Sequence, residues 1–266
     1  MPHSGRKPAA EPLLSGAGGE PTAAEKALME RDGYLVVRNF FPAEQIAELL
    51  RWTTELADAP ERPGQHWVYR EDSLADANLR VIQRIENFCP FHGGFDRLIR
   101  QGALARWAGA LMGGPVVLFK DKINFKMSGG AGFKAHQDSQ AGWSRYAPIF
   151  VTAMVTLDPA TLENGCLEMA AGRHREGLLG EEWSPLDESI LTLQAVPTAP
   201  GDVIFFDSFA PHASKANLSG APRRILYLTY NRAGDGEHRD RYYADKHAAF
   251  PPDIEREQGR TYVFRV

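Results

Sequence analysis

The chain has 266 residues, a formal charge of −4, and 43% hydrophobic against 24% charged residues, the balance of an ordinary globular protein. No segment concentrates Lys and Arg, so electrostatics give no reason to expect nucleic acid, and no run of about 18 apolar residues suggests a membrane span. Two distant cysteines, Cys89 and Cys166, exclude a metal knuckle or disulfide framework; with no apolar secretory stretch at the N-terminus, a cytoplasmic protein with a small-molecule ligand is expected.

Residues 1–22 are rich in Pro, Gly, Ala and Ser and hold little that could form a packed face, so a disordered tail is expected, followed by one domain over 23–266. Thr22-Ala23-Ala24-Glu25 has the spacing of a capping box and predicts a helix that Gly33 ends. A short strand follows at Tyr34–Val37. Pro42 opens a helix to about Ala57, with Ile46, Leu49, Leu50 and Ala57 at helical spacing. Residues 60–90 look irregular and mix His66, Trp67, Tyr69, Arg70, Arg84 and Glu86, the content of a long substrate loop or lid. The next helix is expected from about Asp96 to Met112, stopped by Gly113-Gly114-Pro115.

Beyond Val116 the texture changes to strand-like runs punctuated by Gly and Pro, at 116–127, 133–138, 150–157, 166–169, 191–196, 203–207 and 224–231. Many strands without alternating helices argue for a mainly β fold, a sandwich or jelly roll, with the N-terminal helices packed on it. In the strand through Phe119, simple alternation places Lys120, Lys122, Asn124 and Lys126 on one face and Phe119, Ile123, Phe125 and Met127 on the other. A half-exposed strand would leave those lysines in water. Asn124 differs, because Asn is depleted in strands and a mid-strand amide among apolar neighbours needs a partner.

Two short strings carry the chemistry. In His136-Gln137-Asp138, residues two apart on a strand point to the same side, so an imidazole and a carboxylate can reach one ion. His212, after the run Val203–Phe206, can supply a third ligand from a neighbouring strand. Two imidazoles and a carboxylate leave the far side of a metal open, as in non-haem Fe(II) oxygenases. A His-x-Asp alone says little in a chain with 8 His and 34 acidic residues; its context after Ser128–Gly132, and the later Pro211-His212, give it weight.

The ordered set Lys122–Lys126, Gly132–Asp138, Glu163–Leu167, Gly172-Arg173-His174, Pro200–Val203 and Pro211-His212 resembles the phytanoyl-CoA dioxygenase superfamily from about residue 30 onward. The resemblance implies a double-stranded β-helix (jelly roll) core, Fe(II) held by His136, Asp138 and His212, and 2-oxoglutarate and O2 as co-substrates. It also implies that a basic residue about eleven positions after the second histidine, Arg223, pairs with the distal carboxylate of 2-oxoglutarate. Arg224 is the competing assignment; Asn124 and Ser214 match further co-substrate contacts. Relatives that halogenate lack the carboxylate that Asp138 provides, so hydroxylation, desaturation or ring closure is expected.

For the substrate, Lys120, Lys122, Arg84, Arg145 and Arg173 are candidates to hold an anion. Glu86, Asp121, Trp67, Trp143, Tyr146 and Tyr242 are candidates to hold an amine by charge or cation–π contact. A small zwitterion or anion fits, such as an amino-acid derivative or an aminophosphonate. The likeness around Lys122–Lys126 and Tyr242–Lys246 extends to bacterial hydroxylases of 2-aminoethylphosphonate. Two other classes compete: a non-catalytic metal- and ligand-binding jelly roll, and a zinc hydrolase, since zinc also takes such ligands.

Overall fold

The computed structural model describes residues 18–262. Of the tail expected over 1–22, residues 1–17 lie outside the described residues. Within 18–22, the Gly19 carbonyl accepts a bond from Trp107 Nε1, and Pro21 is buried. The capping box at Thr22 forms as expected and opens α1 (Ala23–Asp32), which Gly33 closes in the left-handed conformation. β1 (Tyr34–Val37) and α2 (Ala43–Asp58) follow. α2 buries Ile46, Leu49, Trp52 and Leu56, one helical stripe.

Two expectations fail in the next segment. Residues 60–90 are not an irregular loop: β2 (Trp67–Asp72) and β3 (Arg80–Glu86) pair antiparallel. Both faces of this hairpin meet protein. Ile85 enters the hydrophobic core, while Arg84 and Glu86 are buried on the other side, so no polar-out alternation marks the strands. The helix expected over 96–112 is two helices, α3 (Gly93–Gln101) and α4 (Ala103–Met112). They meet at Gly102, whose extended backbone breaks the run, and any Cβ there would lie 2.3 Å from the Leu98 carbonyl oxygen.

The rest is β-rich: β4 (Val116–Asn124), β5 (Phe133–His136), β6 (Val151–Thr156), β7 (Leu167–Met169), β8 (Gln194–Val196), β9 (Val203–Asp207), β10 (His212–Ser214) and β11 (Ile225–Arg232). A fifth helix, α5 (Arg239–Ala249), follows. The strands form two sheets, one ordered β1-β9-β6-β11-β4-β3-β2 and one ordered β5-β10-β7-β8, with antiparallel pairing throughout. This two-sheet, mainly β architecture with helices on one side is a jelly roll. Leu226, Leu228, Val155 and Phe205 of the large sheet pack with α2, α3 and α4 in the main core. Its other face, through Ile204, Phe206 and Ile225, meets Leu167, Met169 and Val196 of the small sheet. Among the described residues no helix is long and apolar enough to cross a membrane.

One irregularity sets the phase of β4. Thr229 of β11 pairs with Lys120 and Tyr230 with Leu118, so Phe119 is an extra, bulged residue. Phe119 therefore leaves the core face, where Leu118, Ile123 and Phe125 sit, and joins the aromatic cluster of Trp143, Tyr146 and Tyr242. The expected alternation holds only beyond the bulge. Lys126 departs from it in environment: it is 2% exposed rather than solvated.

On the regular side of the bulge, Asp121 shares the Ile123 side of β4 and points into the structure. Fully buried, it accepts hydrogen bonds from the backbone amides of Phe88 (2.7 Å) and Cys89 (2.8 Å), from the Tyr243 hydroxyl (3.1 Å), and from Arg239. Replacing Asp121 by Ala leaves the buried Arg239 guanidinium uncompensated, which costs about 3–5 kcal/mol. Urea unfolding should show that loss for Asp121→Ala, with Asp121→Asn intermediate because its amide oxygen still accepts. A loss below about 1 kcal/mol for Asp121→Ala, the worth of one ordinary hydrogen bond, would remove the ion pair from this account.

Candidate active site

The small sheet brings the two histidines together. In the β5–β10 pair His212 lies directly opposite His136, and their ring centroids are 4.3 Å apart. Asp138 is just past the end of β5, opening a short 3₁₀ turn over 138–141. Gln137 between them keeps an extended backbone (φ −111°, ψ 136°), so His136 and Asp138 share a side as the sequence predicts, although the strand ends two residues earlier than expected. Gln137 itself points the other way, donating to the carbonyls of Gly177 and Phe209 (2.7 Å each) and accepting from the Leu179 amide at 2.8 Å.

One potential ligand atom from each of His136, Asp138 and His212 lies within 4.8 Å of the others. In each histidine Nδ1 faces a carbonyl, that of Lys134 at 2.7 Å or Ala210 at 3.0 Å. A carbonyl only accepts, so Nδ1 carries the proton and Nε2 keeps its lone pair for the centre, the orienting arrangement found around metal-bound histidines. Burial, reinforced by the neighbouring His212, pushes His136 down to about 3 and keeps it neutral. Burial opposes the charge on Asp138, but His212, His136 and two lysines outweigh it and hold the carboxyl below its usual range. Neutral imidazoles and an ionised carboxylate are the states that bind a divalent ion.

Deeper between the sheets lies Arg223, fully buried. Its Nη1 donates to the Gly165 carbonyl, while Nε and Nη2 have no partner among the described residues. Burial lowers its pKa, yet a guanidinium stays charged in a protein. Arg224, the competing assignment, is spent: its Nε and Nη2 grip Asp158 at 2.8 and 2.9 Å. Asn124 is buried beside the Tyr227 hydroxyl, with which it hydrogen-bonds, and its Oδ1 is unpartnered. Ser214 is buried two residues beyond His212, its hydroxyl accepting from Lys126 Nζ at 2.8 Å. Gly165 closes this end with φ +72°, and a Cβ there would lie 2.1 Å from the Lys215 carbonyl oxygen.

A cavity of about 780 Å³ opens from the triad toward α5 and is lined by eight of the eleven substrate candidates: Arg84, Glu86, Lys120, Lys122, Trp143, Arg145, Tyr146 and Tyr242. Glu86 accepts from Arg84 Nε at 2.8 Å and from Lys246 Nζ. Burial would raise its carboxyl, but Lys246, Lys120 and Arg84 outweigh that and hold it far below the ordinary range. The ammonium groups of Lys120 and Lys122 lie against rings, Lys120 5.4 Å from the centroid of Trp143 and Lys122 4.6 Å from that of Tyr227. Burial, with Lys120 adding, pushes Lys122 down to about 7.

Three candidates fall elsewhere. Asp121 lies on the Ile123 side of β4, away from the cavity, Trp67 packs on Tyr243 and His247, and Arg173 pairs with Glu176 on the surface. Reasoning from the sequence missed Lys126 and Lys246 as members of the site. Both look like surface lysines, and no pattern in the chain marks them otherwise.

Residues 29–225 match the model of the phytanoyl-CoA dioxygenase (PhyH) family. A 2-aminoethylphosphonate dioxygenase from the uncultured bacterium HF130_AEPn_1 is 36% identical over 255 residues, covering 91% of this chain and 93% of that protein. A methylphosphonate hydroxylase of Gimesia maris is 37% identical over 222 residues, covering 82% and 84%. Among solved structures, EctD from S. alaskensis with 2-oxoglutarate and 5-hydroxyectoine superposes with a TM-score of 0.69 at 25% identity, covering 85% of this chain and 82% of that one. The chain therefore belongs to the phytanoyl-CoA dioxygenase family and is a dioxygenase that works with Fe(II), 2-oxoglutarate and O2.

Proposed function

We propose that this dioxygenase hydroxylates a small phosphonate, with Fe(II) held by His136, Asp138 and His212 and 2-oxoglutarate seated on Arg223, Ser214 and Asn124. The observation that carries the reading is a buried guanidinium with two nitrogens that have no partner among the described residues, beside a triad of two imidazoles and a carboxylate. A buried charge without a partner costs several kcal/mol; a bound carboxylate would remove that cost.

The residues fit the co-substrate in detail. Nε and Nη2 of Arg223 form the fork that receives a carboxylate through two parallel hydrogen bonds. Lys126 donates to the Ser214 hydroxyl, which leaves the hydroxyl hydrogen for an acceptor in the site. Turning the Asn124 amide presents its NH2 to the site and its oxygen to the Tyr227 hydroxyl; the amide's two ends are exchangeable assignments. When bound, the iron and 2-oxo acid supply the oxidising power that inserts one oxygen into a C–H bond while 2-oxoglutarate becomes succinate and carbon dioxide. The protein binds, orients and excludes water.

The phosphonate reading rests on the two relatives named above and on Lys120 and Lys122, which face the cavity and, among the described residues, have no ion-pair partner. Two adjacent ammonium groups repel, and a dianion between them offsets that repulsion. Neither a passive binding module nor a hydrolase would have a use for the Arg223 fork.

His136→Ala or His212→Ala should each abolish anaerobic Fe(II) binding, read by calorimetry, together with succinate formation. Removal of iron by a chelator should stop turnover, and zinc should not restore it. Near-normal turnover in either variant would remove that histidine from the proposed triad. Arg223→Ala should weaken 2-oxoglutarate binding at least about thirtyfold, since truncating one partner of a buried charge pair costs about 2–5 kcal/mol. Arg224→Ala should leave it unchanged, and the reverse pattern would exchange their assignments.

A further inference from the structure

We infer that the substrate is an amine-free phosphonate dianion and that Lys120 is the residue that excludes an amine; this rests on the phosphonate reading above and narrows it. An aminophosphonate needs a place for its ammonium, either a carboxylate or the face of an aromatic ring. The cavity contains both, and outside the metal triad and Trp183 the protein's own groups already engage them.

Of the carboxylates lining the cavity, Asp138 faces the histidines. Glu86 has one oxygen on Arg84 and the other on Lys246. Asp245, at the mouth, accepts the Tyr146 hydroxyl at 2.6 Å and lies 3.8 Å from Arg241. Most of the lining rings are engaged in the same way, the exception being Trp183 at the exposed side. Lys120 Nζ lies 5.4 Å from the centroid of Trp143 and 5.8 Å from that of Tyr242, and Lys122 Nζ lies 5.8 Å from that of Phe133.

Lys120 thus occupies the position against Trp143 and Tyr242 that a substrate ammonium would take, and it repels a second cation there. Its backbone position is fixed by the neighbouring bulge at Phe119, which directs two consecutive side chains, Phe119 and Lys120, to the cavity side. With Lys122 one strand step further in, the cavity places two basic side chains without an ion-pair partner among the described residues beside the triad, and leaves no free carboxylate outside it. A small dianion such as methyl- or ethylphosphonate matches that balance, whereas a zwitterion leaves its ammonium among cations.

The test compares ethylphosphonate with 2-aminoethylphosphonate, which differ only by the amine. The readouts are 2-oxoglutarate-coupled succinate release and anaerobic calorimetric affinity for the protein loaded with Fe(II) and 2-oxoglutarate. The unaltered protein should favour ethylphosphonate by at least about tenfold in kcat/KM and in affinity, the scale of one like-charge contact at a partly buried site. Lys120→Met and Lys120→Gln should cut that preference about tenfold, because each removes the repelling charge and frees the ring faces. A merely structural role for Lys120 would weaken both phosphonates alike and leave the ratio unmoved, which overturns the inference. So does a wild-type preference for the aminophosphonate, in which case the phosphonate reading itself stands. If neither compound stimulates succinate release nor binds, the phosphonate reading falls and the inference with it.

Discussion

The register of one short strand pair governs this site. β5 contributes four residues and β10 three, yet the pairing of His212 with His136 decides whether a metal can be held at all. A slip of one residue would turn either imidazole to the opposite face of the sheet. Such short strands cannot fix their own register by pairing alone. The register is held from outside: β10 also pairs with β7 from His212 to Ser214, Gly165 packs against the Lys215 backbone with no room for a side chain, and Gln137 ties the segment after β5 to the carbonyls of Gly177 and Phe209. The middle residue of the His-Gln-Asp string is thus a brace for its two neighbours.

Behind and beside the triad the protein accumulates buried positive charge. Arg223 and Lys126 both reach the Gly165 carbonyl, and burial, with Arg223 adding, drives Lys126 down to about 6. Lys122 is pushed to about 7 for similar reasons. Groups held this far from their solution behaviour oppose folding, and Asp138 and Glu86 near Lys122, with Glu71 near Lys126, offset only part of that burial. Two bound anions, a dicarboxylate at one end and a phosphonate at the other, would restore each charge to favourable company. Ligand binding on that view contributes to the stability of the closed site as well as to turnover.

How much of this was legible in the sequence depends on whether a residue's environment is apolar, polar or metallic. The triad could be read because His-x-Asp on an extended segment, with a later His, has a chemical meaning independent of neighbours. β6, β9 and β11 could be read because their burial leaves largely apolar runs, whereas β10, His-Ala-Ser, was not among the expected strands. The β2–β3 hairpin could not: Arg84 and Glu86 satisfy each other inside the protein, so charged residues stand where a strand pattern calls for apolar ones. α5 was missed for the same reason, since its buried positions include Arg239, Tyr242 and Tyr243 rather than an apolar stripe. Lys126 and Lys246 carry no signal that separates a buried lysine from a solvated one.

The bulge at Phe119 and the missing helix are parts of one solution. β3 pairs with β4 only from Lys122 to Asn124, which leaves the preceding part of β4 with an open edge on that side. Unpaired backbone groups at a buried edge must find other partners. α5 supplies them: the Tyr243 hydroxyl meets both the amide and the carbonyl of Asp121, at 3.3 and 3.1 Å. Because α5 lies over an edge, it reaches past both faces of the strand. On one side Arg239 closes on Asp121; on the other Tyr242 lies against Phe119, and Lys246, seven residues after Arg239 and so on the same helical stripe, closes on Glu86. The same helix that satisfies a structural edge therefore fixes the charge of the cavity.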